Sequence, residues 1–293
     1  MGPGRLSAPQ RARVDAWLPG AELVADLSWN LVETVVLRMR HAGRELIVKA
    51  AGDGDHHLGR ELAAHAGGFV SVWQQSGSAA RLLHADPAAR VIVLEWLPGA
   101  LAYRTPAGVD PEVHRRAGDL LRRFHAQAAR PSEGTDAAAT ARALRWLDSP
   151  HAISPAVEAR LRLALDALPP VEVDLVPTHG DWQPRNWLVD GDTVRVIDFG
   201  RFAFRPAATD FVRLAAQEWR ESPDCETAFF EGYGGDPRLG SDVSERGSGR
   251  SHWLQLRLRE AIGTACWAHQ VGDAEFEAQG HRMIAEALAE YEA

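Results

Sequence analysis

Three side chains of the types that bind a metal ion or accept a proton lie around one predicted β-hairpin: Asp181, Asn186 and Asp198. Two short apolar runs flank Asp190-Gly191, a pair typical of a two-residue hairpin turn. Pairing across that turn places Asn186 at the start of one strand and Asp198 at the end of its neighbour, so these two side chains should lie close together. An amide oxygen and a carboxylate in that position suit Mg²⁺, which keeps water or phosphate oxygens as further ligands. Asp181, in the loop just before, could then reach an incoming hydroxyl.

Lysine occurs once in this chain of 293 residues, although lysine and arginine together number 32. A coding bias towards G and C would replace lysine wherever any solvated positive charge suffices. Lys49, the residue that remains, lies near the end of an apolar run predicted as a buried strand. A strand-borne lysine that holds nucleotide phosphates requires a compact, mobile charge instead of a planar guanidinium. The alternative interpretation is that this lysine at the end of a strand escaped the coding bias by chance.

The first 97 residues are predicted to form a small antiparallel sheet with a helix packed on it. β-branched and leucine-rich runs separated by short polar turns predict five strands, and a helical pattern lies between the third and the fourth. A short helix is also predicted near the N-terminus. The predicted strands are 22–26, 32–40, 45–50, 81–85 and 90–95, and the predicted helices are 9–18 and 55–66.

Pro98-Gly99 interrupts this pattern, and most of the remaining chain is predicted to be helical. The predicted helices are 110–127, 137–147, 155–168, 210–219, 252–270 and 275–291, and the glycine-rich segment 240–251 is predicted to be a loop. The chain is therefore expected to have an α+β fold, with a sheet-based part over 1–97 and a larger, mainly helical part over 98–293.

The sequence HGD at 179–181, followed by Asn186 and then by DFG at 198–200, resembles the aminoglycoside phosphotransferase family, whose members are relatives of choline and homoserine kinases. Lys49 and Glu61 precede these motifs in the family's order, and the resemblance covers roughly residues 20–235. It implies a protein-kinase-like, two-lobed fold. The N-lobe, 1–97, would bind the nucleotide, and the C-lobe, 98–293, would supply the catalytic loop and the acceptor pocket.

The resemblance also implies a role for each motif residue. Asp181 would accept or orient the proton of the acceptor hydroxyl as it attacks the γ-phosphoryl group. Asn186 and Asp198 would bind Mg²⁺. Lys49 would hold the α- and β-phosphates, oriented by an ion pair with Glu61. The expected cofactors are therefore Mg²⁺ and ATP, or GTP in its place.

Five further residues receive candidate roles from the same resemblance. The backbone groups of Glu95 and Leu97 would bind the edge of the nucleobase. The loop after the first strand has no glycine, so Ser28 is the candidate for a phosphate contact there. Arg185 could lie near the transferred phosphate, but we expect it to face solvent. Asp210 either caps a helix or supports the catalytic loop from beneath.

Two residues are candidates for contact with the acceptor. Trp182 immediately follows Asp181, and an aromatic wall there would suit a sugar or nucleoside ring. Glu218 belongs to an acidic group that could meet amino groups of a substrate, or could form the solvated face of a helix. For the other tryptophans near this region ordinary core packing is the favoured interpretation: Trp187, Trp219, Trp253 and Trp267.

The net charge and the amino-acid composition indicate which classes of binding partner to expect. The net charge is −8, and it arises in residues 98–293, which contain 30 acidic and 22 basic side chains. This excess disfavours a nucleic-acid partner and weakly favours a cationic small molecule, although solubility alone explains it equally well. There is no apolar run of about 18 residues and no hydrophobic signal region, so we expect no membrane partner and a cytoplasmic protein, as a monomer or a homodimer.

The leading hypothesis is a Mg²⁺-dependent kinase that phosphorylates a hydroxyl of an aminoglycoside or another hydroxylated natural-product antibiotic, in resistance or self-protection. A metabolic kinase for choline, homoserine or a sugar is the alternative within the same chemistry. A nucleotide-binding protein without transfer activity is disfavoured, because Lys49, Asp181, Asn186 and Asp198 are all present.

Overall fold

The computed structural model describes residues 5–29, 34–52, 54–239 and 246–293. Its largest sheet is antiparallel and five-stranded, in the order β1-β2-β3-β5-β4. The strands are β1 (Glu22–Asp26), β2 (Val35–His41), β3 (Arg44–Ala50), β4 (Leu82–Asp86) and β5 (Val91–Glu95). All five predicted strands are therefore present, although the first two residues predicted for β2 lie outside the described residues.

Two helices cover the two faces of this sheet: α1 (Ala8–Trp17) and α2 (His57–Ala66). Val48 of β3 packs in the apolar cluster that includes Val14 of α1, whereas Leu58 of α2 packs with Ile92 on the opposite face. Side chains alternate between the faces of a strand, so Lys49 points to the side of α2. The sheet thus directs the single lysine towards Glu61 on that helix.

The remaining chain is mainly helical, as expected. Its helices among the described residues are α3 (Ser71–Gln74), α4 (Pro111–His125), α5 (Thr135–Leu147), α6 (Pro155–Ala167), α7 (Val212–Ala216), α8 (Glu218–Glu221), α9 (Pro223–Tyr233), α10 (Arg246–Val271) and α11 (Ala274–Tyr291). The predicted helix over 210–219 is wrong in detail, because the backbone at Gln217 leaves helical geometry and separates α7 from α8. The loop predicted over 240–251 is also too long, since α10 begins at Arg246; residues 240–245 lie outside the described residues.

Five short strands lie among these helices: β6 (Ala100–Leu101), β7 (Leu175–Thr178), β8 (Trp187–Asp190), β9 (Thr193–Val196) and β10 (Ala203–Pro206). β8 and β9 form the predicted hairpin, with Trp187 opposite Val196 and Asp190 opposite Thr193. β7 pairs with β10, a pairing that the sequence analysis did not predict. These two strand pairs hold the two ends of the loop that carries Asp181.

The α+β class expected from the sequence is confirmed. None of the described helices combines the length and the apolar character that a membrane span requires.

Candidate active site

Lys49 lies in a group of charges that joins the sheet to the hairpin. Its Nζ donates to both carboxylate oxygens of Glu61, at 2.9 and 2.8 Å, and lies 3.5 Å from Oδ1 of Asp198. Burial by itself would lower the pKa of Lys49, but the two carboxylates outweigh it and raise the pKa above its ordinary value. Lys49 is therefore a fixed positive charge. Because Glu61 is buried and Asp198 is half-exposed, the charge can be shared with a ligand only on the side of Asp198.

The hairpin brings Asn186 and Asp198 to the same end, as its spacing predicts. The backbone N–H of Ile197 donates to the carbonyl of Asn186 at 3.0 Å, so Asp198 follows directly after the paired residues. Asp198 has φ +66°, in the left-handed region that non-glycine residues rarely adopt. This conformation turns its carboxylate out of the strand, and strain of this kind is often found at functional sites.

The donor atoms of this pair suit a magnesium ion. The side-chain N–H₂ of Asn186 donates to the backbone carbonyl and to Oδ2 of Asp181, at 2.8 and 3.0 Å. Within the described ranges the amide oxygen of Asn186 has no hydrogen bond, so it remains available as a ligand. The described residues contain no group of three or more His, Cys, Asp or Glu side chains that could hold a metal. A metal held by one amide and one carboxylate oxygen therefore needs phosphate or water oxygens to complete its shell.

Asp181 is buried and surrounded by hydrogen-bond donors. Its Oδ2 accepts from Arg185 at 2.8 Å and from Asn186, whereas Oδ1 accepts from Gln183 and Arg213. Burial would raise the pKa of Asp181, but Arg213 and Arg185 outweigh it and hold the pKa well below its usual range. The carboxylate is thus ionised and oriented. The expectation that Arg185 faces solvent is wrong, because its guanidinium lies against the carboxylate four residues earlier.

Asp210 supports the loop that carries Asp181 from beneath. Its carboxylate accepts the backbone N–H groups of His179 and Gly180, at 2.9 and 2.6 Å, and a ring nitrogen of His125 lies at 3.0 Å. The sequence left open whether Asp210 caps a helix or supports this loop, and these hydrogen bonds show that it supports the loop. The backbone immediately before Asp181 is therefore anchored to a buried charge on a different segment.

The structure contradicts the expected contact between Trp182 and an acceptor. Trp182 is 1% exposed and packs against Trp73 and Trp187, with ring centroids at 5.5 and 5.7 Å. The loop turns between residues 181 and 182, so the carboxylate faces the cleft while the indole points into the core. The large apolar surface of the indole is more stable there than in contact with water.

The remaining predicted residues show mixed outcomes. The hydroxyl of Ser28 already donates to Asp26 and accepts from the N–H of Val36, and no contact among the described residues joins it to Lys49 or Asp198. Residues 30–33 of the same loop lie outside the described residues. Glu95 ends β5, and in the described part of the chain the N–H of Leu97 has no hydrogen-bond partner. The backbone N–H of Leu97, two residues after the end of β5, is thus free to donate to a ligand.

Glu218 begins α8, and its carboxyl is largely buried. Its Oε2 has no hydrogen-bond partner among the described residues. Burial raises the pKa of Glu218 to about 7, so the group is only partly ionised near neutral pH. The expected contact with a substrate amine is neither provided nor excluded by this geometry.

Sequence reasoning missed Arg213 of α7 and Glu260 of α10. Arg213 donates to Asp181 and, at 2.7 Å, to Glu260, and it is 11% exposed. No motif marks either residue, since Arg213 lies 32 positions after Asp181 and Glu260 lies 47 positions further on. Arg185 was the arginine of this group that the sequence marked, by its position in the loop of Asp181.

Comparison with known proteins gives the same picture of the fold. The profile of the phosphotransferase enzyme family matches residues 28–242. A thermostable mutant of aminoglycoside phosphotransferase APH(4)-Ia, in ternary complex with ADP and hygromycin B, is 15% identical with a TM-score of 0.69, and the match covers 97% of this chain and 98% of that one. A search of curated proteins found no match.

Two other solved structures are similar over nearly their whole length. Macrolide 2'-phosphotransferase MphH from Brachybacterium faecium is 17% identical with a TM-score of 0.59, covering 93% of this chain and 96% of that one. A choline/ethanolamine kinase family protein from Mesorhizobium loti is 20% identical with a TM-score of 0.63, covering 95% and 92%. At such identities the likeness shows a shared fold and nothing about the acceptor.

Proposed function

The chain belongs to the phosphotransferase enzyme family, and from that membership we propose that it transfers the γ-phosphoryl group of a nucleoside triphosphate to a hydroxyl of a small molecule. One observation carries the proposal. Lys49 lies 3.5 Å from Asp198, and Asn186 donates to Asp181 at 3.0 Å, while the hairpin holds Asn186 and Asp198 at one end. The four groups that phosphoryl transfer requires therefore gather at one place.

In this proposal the residues act mainly by position and charge. Lys49 neutralises the α- and β-phosphates, and its pairing with Glu61 keeps it in place. Asp181 accepts a hydrogen bond from the acceptor hydroxyl and aims its oxygen at the γ-phosphorus. As the new P–O bond forms and the bond to the β-phosphate oxygen breaks, the hydroxyl proton passes to Asp181 or to water. The low pKa of Asp181 suits orientation better than early proton abstraction, in agreement with a loose transition state.

Asn186 and Asp198 would hold Mg²⁺, which when bound supplies charge neutralisation at the phosphates. The free amide oxygen of Asn186 and the outward-turned carboxylate of Asp198 support this assignment. The nucleotide would lie between residues 1–97 and 98–293, with its base against the hinge at Glu95 and Leu97. ATP is the first candidate and GTP the second.

We propose a hydroxylated natural product of the antibiotic type as the acceptor. The support is the fold likeness to enzymes whose names specify an aminoglycoside or a macrolide. A choline/ethanolamine kinase family protein shares the same fold, so metabolic acceptors belong in the same assay.

The test measures ADP or GDP release with Mg²⁺ against hygromycin B, a macrolide, choline, homoserine and simple sugars, followed by detection of the phosphoester by mass. Asp181→Asn should lower turnover by about 10²–10⁴-fold while nucleotide affinity changes less than about twofold. Asp192→Asn, in the exposed turn of the same hairpin, is the matched control and should behave as the parent protein. Turnover near the parental rate in Asp181→Asn would refute the assignment of Asp181.

A further inference from the structure

Three side chains of α2, one from each successive turn, contact the DFG segment at 198–200 directly or through Lys49: His57, Glu61 and His65. Positions four residues apart lie on the same face of a helix. The ring of His65 lies edge-on to that of Phe199, with centroids 5.7 Å apart. Glu61 pairs with Lys49, which lies 3.5 Å from Asp198. The remaining contact, from the first turn of the helix, has no part in the reaction proposed above.

His57 donates a hydrogen bond to the backbone of the DFG segment. Its Nδ1 lies 2.9 Å from the carbonyl oxygen of Gly200. A carbonyl oxygen can only accept, so Nδ1 carries the proton. The two partners are 143 positions apart in the chain. The bond therefore fastens the segment that begins with Asp198 to the helix that carries Glu61.

Gly200 approaches His57 so closely that a Cβ atom on the glycine would be crowded. Such an atom would lie 3.0 Å from Cβ of His57 and 3.1 Å from Oδ1 of Asp198. The backbone of Gly200 does not have a positive φ, so the close approach of the helix is what favours glycine at this position. The first turn of α2 and the DFG segment thus fit each other through both a hydrogen bond and a direct backbone contact.

Gly200 in turn holds the carboxylate of Asp198. The backbone N–H of Gly200 donates to Oδ1 of Asp198 at 3.2 Å, and this is the oxygen that lies 3.5 Å from Nζ of Lys49. The φ of +66° at Asp198 is unfavourable for a residue other than glycine. A strained backbone persists only where its surroundings hold it, and His57 supplies one such hydrogen bond.

His57 is itself anchored through the loop before α2. Its backbone N–H donates to one carboxylate oxygen of Asp55, and the other oxygen accepts the hydroxyl of Thr34. Thr34 immediately precedes β2, the strand that pairs with β3 at Lys49. The hydrogen bonds therefore run from the first sheet through the backbone and the ring of His57 to Gly200.

We propose that His57 is a positioning residue for the magnesium site: its hydrogen bond to Gly200 fixes the carboxylate of Asp198 where Mg²⁺ and the phosphates need it. His57 does not touch the metal or the reacting atoms. The inference rests on the proposed function, because it concerns a Mg²⁺ ligand named there. Loss of the donor should lower the contribution of Mg²⁺ to nucleotide binding and leave metal-free binding unchanged.

Isothermal titration calorimetry of AMP-PNP, with Mg²⁺ and separately with EDTA, measures this contribution as the ratio of two dissociation constants. His57→Leu and His57→Asn are a matched pair, because both side chains branch at Cγ and only asparagine has an N–H donor near the position of Nδ1. We expect His57→Leu to reduce the ratio by about three- to tenfold, the effect of one hydrogen bond. The affinity in EDTA should change less than about twofold, and His57→Asn should restore most of the ratio.

A double-mutant cycle tests whether His57 acts through Asp198. Asp198→Ala should remove most of the Mg²⁺ contribution, and adding His57→Leu to it should change the ratio no further. His56→Leu is the control, since His56 is also exposed and its side chain makes no capping hydrogen bond to α2. This variant should match the parent protein in both titrations.

An equal Mg²⁺ contribution in His57→Leu and the parent would overturn the inference and leave the proposed function intact. Equal losses in His57→Leu and His57→Asn, or a loss in EDTA as large as that with Mg²⁺, would show a general structural role and would also overturn it. Further weakening by His57→Leu in the Asp198→Ala protein would mean that His57 does not act through Asp198. Absence of AMP-PNP binding to the parent, with and without Mg²⁺, would reject the proposed function together with this inference.

Discussion

The two oxygens of Asp181 are fully engaged with hydrogen-bond donors. Gln183, Arg185, Asn186 and Arg213 all donate to its two oxygens. An acceptor hydroxyl must therefore replace one of these donors before it can reach the carboxylate. Arg185 is the more exposed of the two arginines, so it is the donor that an acceptor would displace most readily. Binding of the acceptor and release of the carboxylate would then be one event.

Glu218 should make the stability of the protein depend on pH. Its pKa is about 7 in the folded chain, against an ordinary value of 4.5. Between these values the folded state holds a proton that the unfolded state has lost, so the free energy of unfolding should fall as pH rises from about 4.5 to 7. The loss should not exceed about 3 kcal/mol, because the group keeps some contact with water.

Urea unfolding at pH 5 and pH 8 measures this effect in the parent protein and in Glu218→Gln. The variant should show the smaller loss of stability between the two pH values. Asp166→Asn changes an exposed acid on α6 that does not act on Glu218, and should match the parent. Equal pH dependence in Glu218→Gln and the parent would mean that this carboxyl titrates normally.

At the scale of elements, α4 and α9 cross so closely that glycine is required at the contact. A Cβ atom on Gly232 would overlap the carbonyl oxygen of Arg115, and one on Gly118 would overlap that of Phe229. This crossing positions His125 at the end of α4, and through it Asp210, which anchors the loop of Asp181. The geometry of the loop that carries Asp181 therefore depends on a helix contact far from it in sequence.

Gly232→Ala should destabilise the protein by about 1–3 kcal/mol, since neither backbone can yield without moving its helix. Gly59→Ala is the matched control, because Gly59 lies on α2 with no atom within 4 Å of the added methyl group. That change should be stabilising by about 0.5–1 kcal/mol, through the lower entropy of the unfolded chain. Denaturant unfolding gives both values, and equal effects of the two substitutions would contradict the close contact.

At the scale of the molecule, one apolar cluster joins the parts before and after residue 97. Trp73 is fully buried, stacks on Phe124 with ring centroids 4.3 Å apart, and donates from its indole nitrogen to the carbonyl of Leu120 at 2.8 Å. It lies in the same cluster as Trp182 and Phe199, which belong to the HGD and DFG segments. The proposed boundary at residue 97 thus runs through this cluster, whereas the two faces of the first sheet have apolar clusters of their own.

We therefore expect the chain to unfold in a single cooperative transition. Differential scanning calorimetry should give equal calorimetric and van't Hoff enthalpies. Trp73→Ala should cost about 3–5 kcal/mol and shift the whole transition. Two resolved transitions, of which only one responds to Mg²⁺ and nucleotide, would show instead that the lobes unfold independently.

The sequence by itself determined the α+β class, the five strands of the first sheet and the hairpin that unites Asn186 with Asp198. These depend on short-range rules, namely strand alternation and turn geometry, which act over a few residues. The tertiary structure alone decided that Trp182 points into the core and that Arg185 lies against Asp181. It also decided that Arg213 and Glu260 complete the charge around Asp181. Arg213 lies 32 residues from Asp181 and 47 residues from Glu260, and no local rule specifies which distant side chains meet when the helices pack.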